Sequence, residues 1–191
     1  MSDLVSGKYA QFNPSWLNNG SPSGFLKENF NRLFSSSNTS ALTTQVMLST
    51  PVHLDAGDIV TNITFLSGAT AAGTPTNWWF ALYSNAATPA LLAQSADQTS
   101  TAWAANTAKT LALATAQTIT TPGLYWAAVM VKATTPPTLA GITLQNAASS
   151  SAVVSGQVVL AQTSGSSLTT TAPATITSGT AVATVPYVVL T

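Results

Sequence analysis

Neighbouring side chains on a β-strand point to opposite faces, so a strand with one solvated face alternates apolar with polar residues. The stretch 77–84, NWWFALYS, breaks that rule. Trp78, Phe80 and Leu82 would share one face, and Trp79, Ala81 and Tyr83 the other. The stretch 124–131, LYWAAVMV, does the same: Leu124, Trp126 and Met130 oppose Tyr125, Val129 and Val131. Both strands are therefore predicted to be covered on both sides. Around them, short β-rich segments are expected at 45–52, 59–67, 90–95, 108–114, 139–144, 152–160 and 181–190. Turn signals such as Asp55-Ala56-Gly57-Asp58, Thr121-Pro122-Gly123 and Pro136-Pro137 separate them. Short strands at this spacing predict an all-β fold, an antiparallel β-sandwich of jelly-roll-like form. The Ser/Thr/Ala/Gly-rich stretch 149–191 resembles a low-complexity tail, but its β-branched residues place the last two strands in the sandwich. Pro186 marks the final one as an edge strand or a bulge.

Residues 1–40 differ in character. Asn13-Pro14, Asn18-Asn19-Gly20 and Ser21-Pro22 punctuate a polar stretch that carries Tyr9, Phe12 and Trp16. A short helix is predicted after Ser21, with Pro22 in its first turn and Leu26, Phe30, Leu33 and Phe34 on one face. Glu28 and Arg32 would form an i,i+4 ion pair on it. The expected organisation is an N-terminal extended arm, 1–40, followed by a sandwich domain, 41–191.

A second aromatic row needs a cover. Burying one tryptophan is worth about 4–6 kcal/mol as an upper estimate, too much to forgo. The cover could be the arm or a loop of the same chain, a second subunit meeting Trp79, Tyr83 and Tyr125, or a ligand. Trp103 lies in the polar stretch 100–106. It is either a loop ring tucked over the core edge or a contact for a glycan.

Composition sharpens this picture. Of 191 residues, 46% are hydrophobic and only 5% charged, against roughly 25% charged in ordinary domains. The five basic and five acidic residues cancel, leaving no basic patch for a phosphate backbone. No nucleic acid partner is expected. Asp3, Lys8, Lys27, Glu28 and Arg32 fall in the first 32 positions, and no charged side chain follows Lys132. A surface so poor in charge favours association, so a homo-oligomer or larger assembly is expected. No apolar run approaches the ~20 residues of a membrane helix, no signal peptide is visible, and no cysteine is present. No membrane partner is expected.

Catalytic chemistry is nearly absent from the letters. His53 is the single histidine, and no nucleophile elbow accompanies it. Asp55 and Asp58 bracket a turn, and two carboxylates fall well short of the six to eight oxygens Ca²⁺ takes. No phosphate loop, zinc spacing or cofactor fingerprint occurs. Neither an enzyme nor a cofactor is expected.

Three motifs carry a resemblance: AGDIVTNITFLSG at 56–68, WWFALYS with LLAQSADQT and Ala102-Trp103 after it, and the later TPGLYW strand. With the ending TAPATITSGTAVATVPYVVLT, they make residues 45–191 resemble a β-domain of virion proteins from tailed phages that infect actinobacteria. The resemblance implies a structural virion component, either a capsid decoration protein or a minor tail or fibre protein, with no catalytic residues. Residues 1–40 lie outside it, and their aromatic content suits docking onto other virion proteins. Expected anchors are Tyr9, Phe12, Trp16, Phe25, Leu26, Phe30 and Phe34. The expected oligomer is a homotrimer, located in the virion. The alternative expectation is a carbohydrate- or host-receptor-binding module using Trp103 on a cell-surface glycan.

Overall fold

The structure is a computed structural model describing residues 26–145 and 151–191. The two strands whose sequences lack a polar face lie at its centre. Strand β3 (Met47–Leu54), β5 (Asn77–Tyr83) and β8 (Gly123–Lys132) lie side by side, with β8 in the middle. The trio is extended by β6 (Leu91–Gln94), β10 (Gln162–Ser164) and β11 (Thr180–Ala181) into a six-stranded sheet, ordered β11-β10-β3-β8-β5-β6.

A four-stranded sheet packs against one face. It contains β1 (Lys27–Glu28), β13 (Val188–Leu190), β4 (Ile59–Leu66) and β7 (Ala108–Thr118), in that order. A small third sheet, β12 (Thr184–Pro186), β9 (Ala140–Thr143) and β2 (Ser37–Asn38), closes one side. Every strand pairing among the described residues is antiparallel. The all-β sandwich expected from the alternation is the observed architecture.

The main core forms where the faces meet. Trp78, Phe80, Leu82, Tyr125 and Val129 of the large sheet interlock with Val60, Ile63, Phe65, Val188 and Leu190 of the smaller one. The Phe65 and Phe80 rings meet edge to face at 4.9 Å, a favoured arrangement for two aromatic quadrupoles.

The boundary expected at residue 40 lies elsewhere. Lys27 and Glu28 pair with Leu190 and Val189, and Ser37 and Asn38 pair with Gly141 and Ala140. Residues 27–40 thus belong to the sandwich. The predicted helix is not formed in its described part: residues 27–28 are strand and only Arg32–Phe34 make a single 3-10 turn, capped by the Asn31 side chain on Leu33 N. Local asparagines and strand pairing override the apolar spacing. The predicted stripe is split, since Phe30 packs on Tyr187 at 5.6 Å while Leu33 and Phe34 remain 64% exposed. Glu28 accepts a hydrogen bond from the Tyr187 hydroxyl at 2.5 Å.

Two further expectations at the C-terminal end change. No strand forms over 152–160, where both Val153 N and Val154 N donate to the Gln157 side chain and the valines are exposed. The stretch 181–190 is not one strand but the end of β11 followed by β12 and β13, which lie in different sheets. Pro186 ends β12 against Gly141, and Val188 begins β13 against Phe65. Asn29 stabilises this crossing: its Nδ2 donates to Pro186 O at 2.8 Å and its Oδ1 accepts from Val188 N at 3.1 Å. Backbone groups that leave one sheet before joining the next are thereby satisfied.

Candidate functional site

The second aromatic row is covered by the chain itself. Trp79, Ala81, Tyr83, Trp126, Ala128 and Met130 form a second core with Ala172 and Ile176, which belong to an irregular segment lying across the sheet. Trp79 Nε1 donates to Thr169 O at 2.8 Å, and the Tyr83 hydroxyl donates to Pro173 O at 2.9 Å. Gln94 clamps the segment from both sides, its Nε2 on Thr170 O at 2.7 Å and its Oε1 on Ala172 N at 2.6 Å. Backbone bonds Leu168 N to Gln45 O and Ile176 N to Pro89 O tie down the two ends. Burial pushes the Tyr83 phenol well above its ordinary pKa, because the anion would lie where water cannot solvate it.

This corrects the expected subunit contact. Trp79 and Tyr83 lie beneath residues 168–176, and Tyr125 faces the main core with its hydroxyl donating to Thr121 O at 2.8 Å. No ring of the three is presented to a second copy. The cover comes from a loop of the same chain, at its C-terminal side.

Trp103 is also corrected as a glycan contact. It is fully buried, stacked on Trp78 at 5.0 Å with its Nε1 donating to Thr107 O at 2.9 Å. The polar stretch around it is a loop folded over the core edge, and no sugar can reach the ring. Asp97 holds that loop to β5 by accepting from Trp78 N at 3.0 Å.

The titratable residues are arranged for structure. Asp58 closes the 55–58 turn by accepting from Asp55 N at 2.8 Å, with Gly57 at φ +95°, where a side chain would be strained. Lys27 Nζ bonds Asp55 at 2.6 Å and lies 3.5 Å from Asp58. Burial alone would lower the Lys27 ammonium, but the Asp55 hydrogen bond and the charges of Asp58 and Asp55 outweigh it and leave the pKa raised. His53 is exposed, 3.8 Å from Asp55. No group of three or more His, Asp or Glu side chains suited to a metal occurs among the described residues.

Of the expected anchors, Tyr9, Phe12, Trp16 and Phe25 lie outside the described residues. Leu26 lines a shallow groove of about 270 Å³ with Leu66, Ala108, Tyr187 and Val189. Phe30 is partly buried against the core, whereas Phe34 projects into solvent beside Leu33.

A feature missed by the sequence reading is a groove of about 730 Å³ at the far end of the covering segment. The β5–β6 hairpin loop, the start of β8, residues 157–162 and residues 176–179 enclose it. Trp126, only 6% exposed, lies at its base. The indoles of Trp78, Trp79 and Trp103 each donate to a backbone carbonyl. That of Trp126 alone among the described tryptophans has no acceptor, and its nitrogen is not sealed from solvent. Two glycines bring amide side chains into the walls. A Cβ on Gly123 would stand 2.6 Å from Asn85 Nδ2, and one on Gly179 only 2.0 Å from Gln162 Oε1. The only letter in the sequence that pointed here was Trp126, placed correctly on the face opposite Tyr125. The rest depends on where the 157–162 and 176–179 loops run.

No family model matches the chain, and the search of curated proteins found no match either.

Proposed function

We propose that this chain is a structural accessory protein of a tailed-phage virion, either a capsid decoration protein or a small tail-attached or fibre protein. Its N-terminal segment anchors it to other virion proteins, and the sandwich projects. A body whose two aromatic rows are both covered, with so few charges, suits a rigid building block rather than a catalyst. The single observation that carries the reading is at the point of entry of residues 1–25. Leu33 and Phe34, which follow shortly after Leu26 and strand β1 in the chain, are exposed, and the sequence before them carries Tyr9, Phe12 and Trp16. Exposed apolar clusters of this kind mark contact surfaces. A trimer built through Trp79, Tyr83 and Tyr125 is not part of this reading, since the chain covers those rings.

Removal of residues 1–25 tests it. The cut must stop there, because Lys27, Glu28 and Asn29 hold β13 and the crossing before it. The expected outcome is a folded protein with a cooperative unfolding transition like the parent's that is missing from purified particles. Full occupancy of particles by the truncated chain rejects an N-terminal anchor. Absence of the intact chain from particles rejects the virion role.

A further inference from the structure

We propose that the groove over Trp126 is a binding site for a neutral oligosaccharide. Three properties select that ligand class. The volume, about 730 Å³, falls in the range of small-molecule sites. The side chains of Asn85, Thr88, Gln162, Thr177 and Ser178 line it without any hydrogen-bond partner in the chain, and none of them is charged. A ligand matched to amides and hydroxyls with no ionic partner is rich in hydroxyls and uncharged. Leu124, 39% exposed, and Val158, 38% exposed, add an apolar wall on which the C–H face of a sugar ring can rest.

The Trp126 indole makes the site more than a polar cleft. Buried donors nearly always find an acceptor within the protein, and the other three described indoles do so. Trp126, more than nine-tenths buried as a residue, lines the groove with an N–H that has no acceptor in the chain and remains within reach of solvent. An ether or hydroxyl oxygen of a bound sugar can take the place of water as the acceptor of that bond. Ser178 keeps a left-handed backbone, φ +53°, on the same rim. Such conformations in a residue with a side chain are strained and are found at binding sites among other places. Gly123 and Gly179 are the positions that admit the Asn85 and Gln162 amides to the walls.

The site differs from the N-terminal surface used in the virion reading, and either can fail without the other. The test uses the full chain labelled with ¹⁵N, whose five tryptophans give five indole signals. The signal lost in Trp126→Phe is that of Trp126. Short oligosaccharides of glucose, mannose, galactose and arabinose are titrated separately to about 5 mM, a range that captures millimolar dissociation constants. The expected result is that at least one sugar moves the Trp126 signal saturably while those of Trp78, Trp79 and Trp103 stay in place. Trp126→Phe, which keeps an aromatic side chain and removes the donor, then weakens binding about three- to tenfold, read from the backbone amide signals of Asn85 and Gln162. Should that variant fold poorly, Asn85→Ala and Gln162→Ala are expected to weaken binding about threefold each. The proposal is overturned if no sugar moves the signal, or if these variants bind as the parent does. It is equally overturned if the signal moves with protein concentration alone, which identifies a second copy of the chain as the occupant.

Discussion

On one face of the β3–β8–β5 trio, Trp78, Phe80 and Val129 meet strands of a second sheet; on the other, Trp79, Tyr83 and Met130 meet residues 168–176, which contain only one isolated β-bridge. The rings named on both faces are fully buried, yet the faces are closed by different chemistry. The sheet-on-sheet face relies on alternation matched on two sides, so apolar area does most of the holding. The other face uses fewer apolar groups and pins its cover with side-chain hydrogen bonds to main-chain carbonyls. A covering segment without a ladder of its own can be rich in Ser, Thr and Ala and still be firmly seated, provided the strands below supply donors such as Trp79 Nε1 and the Tyr83 hydroxyl.

The comparison breaks first at Trp79. Trp79→Ala removes a fully buried ring and leaves Thr169 O without its donor, so a loss of about 3–5 kcal/mol is expected, equal to that for Trp78→Ala on the opposite face. Urea unfolding measures both. A loss under about 1 kcal/mol at Trp79 alone means that the covering segment is laid on loosely. Gln94→Ala is expected to cost about 1–2 kcal/mol, because it removes both clamps on Thr170 and Ala172. Hydrogen exchange should then quicken at the amide of Ala172 and remain slow at Phe80 and Val129; uniform quickening would show that the two faces open together.

Smaller effects appear with pH. Burial raises the phenol of Tyr83, and burial with the Glu28 hydrogen bond raises that of Tyr187, both above the ordinary value of 10.0. The unfolded chain then loses these protons before the folded one, so stability is complete below about pH 10 and falls as pH climbs toward the folded values. Tyr83→Phe should flatten part of that fall in a series of unfolding curves between about pH 9 and 11, and an unchanged slope would count against it. Smallest of all is Lys27→Met. The pair with Asp55 is half-open to water, so at most about 1 kcal/mol is expected at low salt and nothing measurable at high salt. A salt-independent loss would mean that the lysine stem, not its charge, does the holding.

What the letters revealed follows the same division. Short β-rich segments between turn signals marked β3, β4, β5 and β8, and the period of two placed Trp78 and Trp79 on opposite faces. The cover over Trp79 left no such trace. Its hydrogen bonds run mostly from strand side chains to carbonyls of residues 168–176, and every residue has a carbonyl. Counting β-branched residues also misled at 152–160, where Val153 and Val154 are exposed and no neighbouring strand pairs with them. Near the N-terminus, helical spacing of Leu26, Phe30, Leu33 and Phe34 lost to Asn29 and Asn31, whose short amides find better use on the crossing and the 3-10 turn. The candidate groove was least legible, since its walls come from four separate stretches that only the fold assembles.

The short ladder of β1 has a mechanical meaning. Tension applied through residue 26 is borne first by two residue pairs, Lys27 with Leu190 and Glu28 with Val189, together with the side-chain links of Lys27 to Asp55 and Glu28 to Tyr187. Behind them stands the Asn29 amide, and only then the interlocked rings. A tug on that end therefore peels away a sacrificial thread before it reaches the fabric, and single-molecule stretching should record a small early rupture ahead of the main one.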